Sequence, residues 1–141
     1  MNFLTAMVLV TTISSGQPTD YTSAYKSAMK SDQPLVVLVT AEWCPPCQNL
    51  KRNTLPKLVD RKSFKGVHFA LVDLDKDSKV ARQLIGSRPI PQFILFEKKD
   101  GKWTKKHLVG FQTVAKVEEF VGPAIVRTAE KPATDKAIAN K

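Results

Sequence analysis

Two cysteines separated by two prolines are the residues of this chain best suited to chemistry. Trp43-Cys44-Pro45-Pro46-Cys47 follows a run of five aliphatic residues, Leu35 to Val39, and opens a stretch with helical character. Cysteines at i and i+3 in the first turn of a helix can close a small disulfide ring or open to a dithiol. The first thiol would stand at the helix N-terminus, where the positive end of the backbone dipole favours the nucleophilic thiolate. The second would lie within reach of a mixed disulfide formed by the first and could resolve it intramolecularly. Cys44 is then the attacking thiol and Cys47 the resolving one. An inert structural pair and a metal site are the alternatives. Only His68 and His107 could complete a set of two cysteines and two histidines, and each falls in or beside an expected strand. Zinc sites usually space their second ligand pair closely, whereas these histidines lie 39 positions apart. No metal is expected.

The elements around the pair follow from hydrophobic spacing. Tyr21, Ala24, Tyr25, Ala28 and Met29 recur at helical intervals between Asp20 and Ser31. Leu35 to Val39 reads as a strand buried on both faces, as at the centre of an α/β sheet. A helix should start at the cysteines and run toward Asn53, with Pro56 ending it, kinking it or starting a second turn. Val67 to Leu74 is a second strand, and Asp75 to Leu84 a helix with Gly86 just beyond it. Phe93 to Phe96 and Trp103 to Val109 flank Asp100-Gly101, a hairpin-turn pair. Thr113 can cap a last helix carrying Val114, Val117, Phe120 and Val121, closed by Gly122-Pro123. A strand, crossover helix and strand give a parallel pair, and the hairpin adds an antiparallel edge. The expected architecture is α/β: a mixed four-stranded sheet flanked by helices on both faces, with an extra N-terminal helix.

At 141 residues the chain has room for one ordinary domain. Two cysteines cannot form a multi-disulfide scaffold, and no apolar run reaches the roughly 18 residues of a membrane span. The net charge of +9 is concentrated in two places. Residues 51–66 hold six basic side chains against Asp60, and residues 97–107 hold five lysines against Glu97 and Asp100. Lysines around a hairpin turn suit an exposed edge and deter unwanted strand pairing. No basic motif interleaved with aromatic residues is present, so nucleic acid is not expected as a partner. An acidic partner or an anionic surface stays open. Residues 3–13 form an uncharged apolar stretch followed by Ser14, Ser15 and Gly16, the length of a secretory core and a cleavage site. Residues 1–16 are therefore expected to be a signal peptide, which would make the protein exported, periplasmic or secreted. The alternative is an added N-terminal strand or helix on a cytoplasmic protein. The domain is expected over 17–127, and 128–141 as a disordered basic tail.

Ala41-Glu42-Trp43-Cys44-Pro45-Pro46-Cys47 resembles the active-site run of thioredoxins, usually Ala-Glu-Trp-Cys-Gly-Pro-Cys. Ile90-Pro91, ahead of the strand Phe93 to Phe96, resembles that family's cis-proline loop. The resemblance covers residues 20–124. It looks closest to a branch with a longer segment after the active-site helix, here Thr54-Leu55-Pro56, whose members are often exported. It implies a thioredoxin fold and a thiol–disulfide oxidoreductase, with no cofactor beyond the Cys44–Cys47 disulfide. The implied direction is reduction of protein disulfides by a monomer recharged by an upstream electron donor. A disulfide oxidase or isomerase is the alternative, as is a non-catalytic module docking an acidic partner. Pro91 would be cis against the disulfide, and Ile90 would offer its backbone to substrate. Trp43, Ile90 and the Val109-Gly110 turn would form an apolar collar around Cys44.

Two departures from the family pattern carry expectations of their own. The aspartate that thioredoxins bury on the central strand is Leu38 here, and the lysine that accompanies it is Leu71. A buried charge is costly without its partner, so the two losses belong together. Cys47 would need another proton acceptor, such as water, Glu42 or the leaving thiolate, and should resolve more slowly at neutral pH. Pro45 and Pro46 suit a first helical turn, yet lack the N–H groups that could face a Cys44 thiolate. Its pKa is expected to be lowered, but not to the extreme of a strong oxidant.

Overall fold

The computed structural model describes residues 16–130. The expected leader falls outside these except for Gly16, and the expected tail falls outside from residue 131. Strands β1 (Leu35–Thr40), β2 (His68–Asp73), β3 (Gln92–Lys99) and β4 (Lys102–Val109) form one sheet in the order β2-β1-β3-β4. β1 runs parallel to β2 and antiparallel to β3, and β3 and β4 are the antiparallel hairpin. β1 is buried at all its positions, which is why Leu35 to Val39 form a continuous aliphatic run with no polar alternation before Thr40. The hairpin turns through Asp100 (φ 51°) and Gly101 (φ 77°). Two residues at positive φ twist in the sense the strands require.

Among the described residues, five α-helices cover the sheet: α1 (Tyr21–Ser31), α2 (Pro45–Asn49), α3 (Leu55–Asp60), α4 (Ser78–Ile85) and α5 (Val114–Glu130). On one face Val36, Leu38, Phe93 and Leu95 pack against Leu50, Leu58, Val117 and Val121. On the other, Val37, Val39 and Ile94 meet Ala24 and Ala28 of α1 and Ala81 and Leu84 of α4. This is the expected mixed four-stranded sheet with helices on both faces and an N-terminal helix. α1 starts where expected because the Asp20 carboxylate caps it, accepting the Ser23 N–H at 2.9 Å.

Besides β3, which runs on past Phe96 to Lys99, three boundaries differ from expectation, each for an identifiable reason. The chain after the cysteines stays helical, but α2 passes into a π-helical turn (Leu50–Thr54) before α3. There the Leu55 N–H bonds back to Leu50 O, five residues away. Pro56 has no N–H and would collide with the carbonyl four residues back in a regular helix, so the wider turn admits it. α4 begins at Ser78, three residues late, because the Asp73 carboxylate accepts the N–H groups of Asp75 and Lys76 and holds them in a turn. Finally, Gly122-Pro123 does not close the last helix, which runs on to Glu130 and takes residues 128–130 of the expected tail. The buried stripe Val117, Val121, Ala124 continues through the proline, and Arg127 is bound to the buried carboxylate of Glu97. Lys106 Nζ lies 2.7 Å from the same group. Burial works to raise the Glu97 pKa, but the two cations outweigh it and hold it below the ordinary carboxylate value.

Candidate active site

β1 ends at Thr40, and Ala41-Glu42-Trp43 carries the chain to Cys44, whose extended backbone makes it the N-cap of α2. Cys44 and Cys47 form a disulfide, with Cα atoms 5.2 Å apart. Cys44 is 5% exposed and Cys47 fully buried, so a substrate meets Cys44 first. Cys44 Sγ accepts the Cys47 N–H at 3.3 Å. Pro45 and Pro46 occupy the first two helical positions and have no N–H to add.

The expected site residues gather at this end of the sheet. The Ile90-Pro91 peptide is cis, and Ile90 O lies 3.9 Å from Cys44 Sγ. Ala41, Leu74 and Ile90 pack around the two cysteines. Gly110 donates its N–H to Pro91 O at 2.8 Å. It does so at φ 88°, a conformation glycine adopts without steric cost. Val109, paired with Gln92 in the sheet, is 37% exposed at the rim. Trp43 is 65% exposed, and its indole N–H donates to Asp75 Oδ1 at 3.0 Å.

Three contributors were not legible in the motifs. Asp75 anchors the Trp43 ring from the turn that Asp73 holds, a role visible only once the strand ends are placed. Phe111, 44% exposed beside Gly110, adds an apolar surface to the rim; an aromatic after a turn glycine and before polar Gln112-Thr113 was the available signal. Thr54, buried at the end of the π-helical turn, donates its hydroxyl to Gln112 O at 3.0 Å. Gln112 in turn donates to Val109 O at 2.8 Å. The longer segment after the active-site helix thus clasps the loop bearing the rim.

The electrostatics are sparse. Leu38 and Leu71 are Cα partners across β1 and β2, and Leu38 is fully buried, so an apolar pair stands in the sheet. Glu42 is exposed and already engaged by Lys51 Nζ at 3.0 Å and Gln48 Nε2 at 3.4 Å. His68 and His107 lie on β2 and β4, the opposite edges of the sheet, and cannot join the cysteines in one ligand set. No group of three or more metal-binding side chains occurs among the described residues.

A disulfide at the head of a helix, with its first cysteine slightly exposed and its second fully buried, is the site of a thiol–disulfide oxidoreductase. The chain belongs to the thioredoxin family, whose model matches residues 17–122. A thioredoxin of Aspergillus fumigatus is 36% identical over 95 residues, 67% of this chain and 81% of that one. Among solved structures, a Thermus thermophilus thioredoxin superposes with a TM-score of 0.63 at 23% identity, covering 81% of this chain and 90% of its own. The thioredoxin of Malassezia sympodialis gives 0.59 at 25% identity, covering 78% and 92%. Thioredoxins act on protein disulfides, and the Cys44–Cys47 pair is itself the reacting group.

Proposed function

We propose that the protein reduces disulfides in protein partners, working as a monomer recharged by an upstream dithiol donor. In the dithiol state the Cys44 thiolate attacks a substrate disulfide, forming a mixed disulfide and releasing one substrate thiolate. Cys47, deprotonated, then attacks Cys44 Sγ and expels the second substrate thiolate. Two electrons have passed to the substrate, and the Cys44–Cys47 disulfide is left for the donor to reduce. The collar of Trp43, Ile90, Val109, Gly110 and Phe111 would seat the apolar surroundings of the substrate cysteine. The Ile90 backbone beside Pro91 would pair with the substrate chain.

The observation that carries the direction is that, among the described residues, one N–H, that of Cys47, is donated to Cys44 Sγ in the disulfide. Strong oxidants owe their high potential to a stabilised thiolate, and here one donor and a short helix supply that stabilisation. The test is the Cys44–Cys47 reduction potential. A value near about −270 mV supports the reductase, and one near about −120 mV makes the protein an oxidase. Loss of disulfide-reductase activity in Cys44→Ser separates an enzyme from a binding module, and Cys47→Ala should hold substrates as mixed disulfides. Export is proposed on the apolar residues 3–13, the small residues Ser14, Ser15 and Gly16 after them, and the resemblance to an often exported branch. A chain that retains Met1 and stays in the cytoplasm when expressed in its host overturns it. Light scattering of the purified protein tests the monomer.

A further inference from the structure

We propose that the face of β4 turned toward α1 and α4 is a docking surface for acidic segments of the protein substrates. The proposal rests on the reductase reading and narrows its substrate class. In the β3–β4 register Val109 lies opposite Gln92, His107 opposite Ile94, Lys105 opposite Phe96 and Trp103 opposite Lys98. Ile94 and Phe96 belong to the core beneath α1 and α4. Directly opposed residues share a face of a sheet, so Val109, His107, Lys105 and Trp103 line that same face. The row starts at the rim of the active site, with Val109, and extends about 20 Å along the strand. β4 is the outer strand of the sheet, and Lys105 is exposed.

Lys105 is the cation of this row, while Lys98, opposite Trp103 at its far end, is paired with Asp32 at 3.0 Å. Arg88 is exposed in the loop leading to Ile90 and Pro91. Neither Arg88 nor Lys105 forms an ion pair or side-chain hydrogen bond among the described residues. Lys51, Arg61, Lys98, Lys106, Lys116 and Arg127, by contrast, are all paired with acids. Burial, and then the nearby charges of Arg88 and Lys105, hold the His107 imidazole below its ordinary pKa. Beyond Lys105 the row ends at a hollow of about 360 Å³ between Tyr25 and Met29 of α1 and Phe96 and Trp103 of the hairpin.

These features fit one occupant: an extended substrate segment with its cysteine at Cys44, carboxylates opposite Arg88 and Lys105, and an apolar side chain in the hollow. Unpaired cations flanking a site accelerate encounter with a complementary chain and reject a like-charged one. The basic stretch at 51–66 does not serve this purpose, because α3 lies on the opposite face of the sheet.

The test compares two disulfide peptides that differ only in carrying glutamates or lysines beside the cysteine. A serine-for-cysteine form of each is used for fluorescence anisotropy, so that binding is read apart from turnover. Dithiodiethanol, small and neutral, serves as the reference substrate. The acidic peptide is expected to bind and to be reduced about tenfold better than the basic one, with the preference shrinking from about 20 to 300 mM salt. In Arg88→Glu/Lys105→Glu the ratio of acidic-peptide kcat/KM to dithiodiethanol kcat/KM should fall at least as far. Lys57→Glu, on the opposite face, should leave that ratio unchanged. Equal affinity for the two peptides overturns the docking surface. So does an unchanged ratio in the double variant, or tighter binding of a thymidine oligonucleotide than of the acidic peptide. A parent that binds the acidic peptide preferentially but does not reduce dithiodiethanol sinks the reductase reading and leaves the surface standing.

Discussion

Putting an acid and its partner back into the sheet tests whether Cys47 resolves slowly for want of a base. The perturbation is Leu38→Asp combined with Leu71→Lys, positions that are direct Cα partners across β1 and β2. Leu38→Asp alone would remove about 3 kcal/mol of packing and bury a carboxyl among Val36, Leu50, Leu58 and Phe93, costing about 1–3 kcal/mol more. That is a large part of the roughly 5–15 kcal/mol stabilising a typical domain. Leu71 is only half-buried, so the introduced ammonium can lay its stem along the sheet and keep its head near water. It also supplies the charge that lets the carboxyl ionise. The double variant should therefore fold where the single one falters.

The kinetic effect follows from the surroundings of Cys47. Its sulfur is buried among Ala41, Leu74 and Ile90, while the nearby acids are held by Lys51, Gln48 and Trp43. A base that eases Cys47 ionisation by one pH unit is worth about 1.4 kcal/mol, or about tenfold in thiolate. Stopped-flow mixing of the dithiol protein with an aromatic nitrobenzoate disulfide separates the two steps. The first chromophore released reports attack by Cys44, and the second reports resolution by Cys47. The second phase should be about tenfold faster in the double variant at pH 7, with the two proteins converging above about pH 9, where the parent thiol ionises unaided. A folded double variant whose second phase matches the parent in rate and pH profile would refute the reasoning.

Three further outcomes are expected. Thr54→Val keeps the shape but removes the donor to Gln112 O; it should cost about 1 kcal/mol, speed amide exchange at residues 110–113, and lower kcat/KM for a protein disulfide more than for a small one. Unchanged exchange in that loop would show that the π-helical turn does not hold it. Pro46→Ala restores an N–H at the second helical position, within the reach an N-cap side chain uses. One added charge-assisted bond to the thiolate, about 1.5 kcal/mol, should raise the reduction potential by about 30 mV, read by equilibration against glutathione; no rise would mean that this N–H does not face the sulfur. Glu97→Gln removes the acid that Lys106 and Arg127 share. With both cations about half exposed, the loss at pH 7 should be about 2 kcal/mol by thermal unfolding, less than for a fully buried pair. Because the folded Glu97 pKa is lowered, its contribution is complete above the ordinary value of about 4.3 and fades as pH falls through the folded one. Parent and variant should thus converge in strong acid; a gap that persists there would assign the loss to packing.

What was legible in the sequence tracks how local the cause is. The buried run Leu35 to Val39, the Asp100-Gly101 turn and the cysteine spacing each encode their structure within a few residues, and each appeared where expected. The limits of α4 and α5 did not, because they depend on other parts of the molecule. Asp73 holds Asp75 and Lys76 out of α4 from the end of β2. α5 passes Gly122-Pro123 because its apolar stripe and the Glu97–Arg127 pair hold the second half to the sheet. The rim shows the same division. Trp43 and Gly110 announce themselves by type and position, whereas Asp75, Thr54 and Phe111 act through neighbours 32, 58 or more positions away or through exposure alone.

The two departures from the family pattern act on different halves of the catalytic cycle. The prolines at 45 and 46 govern the first half. In the disulfide, Cys44 Sγ accepts the Cys47 N–H; if no further donor reaches the thiolate, the reduced state would gain modest stabilisation, and a dithiol held loosely gives up its electrons readily. Leu38 would govern the second half, where Cys47 would have to lose its proton with an apolar Leu38–Leu71 pair in the sheet. On the reductase reading, a protein built this way would favour delivery of electrons while leaving the release of substrate open to control by its surroundings. The leaving thiolate of the substrate would then serve as the base, and the rate of resolution would depend on the substrate itself. Arg88 and Lys105 beside the site would hold an acidic substrate while Cys47 resolves the mixed disulfide. The same cations would also stabilise a departing thiolate, coupling recognition to release.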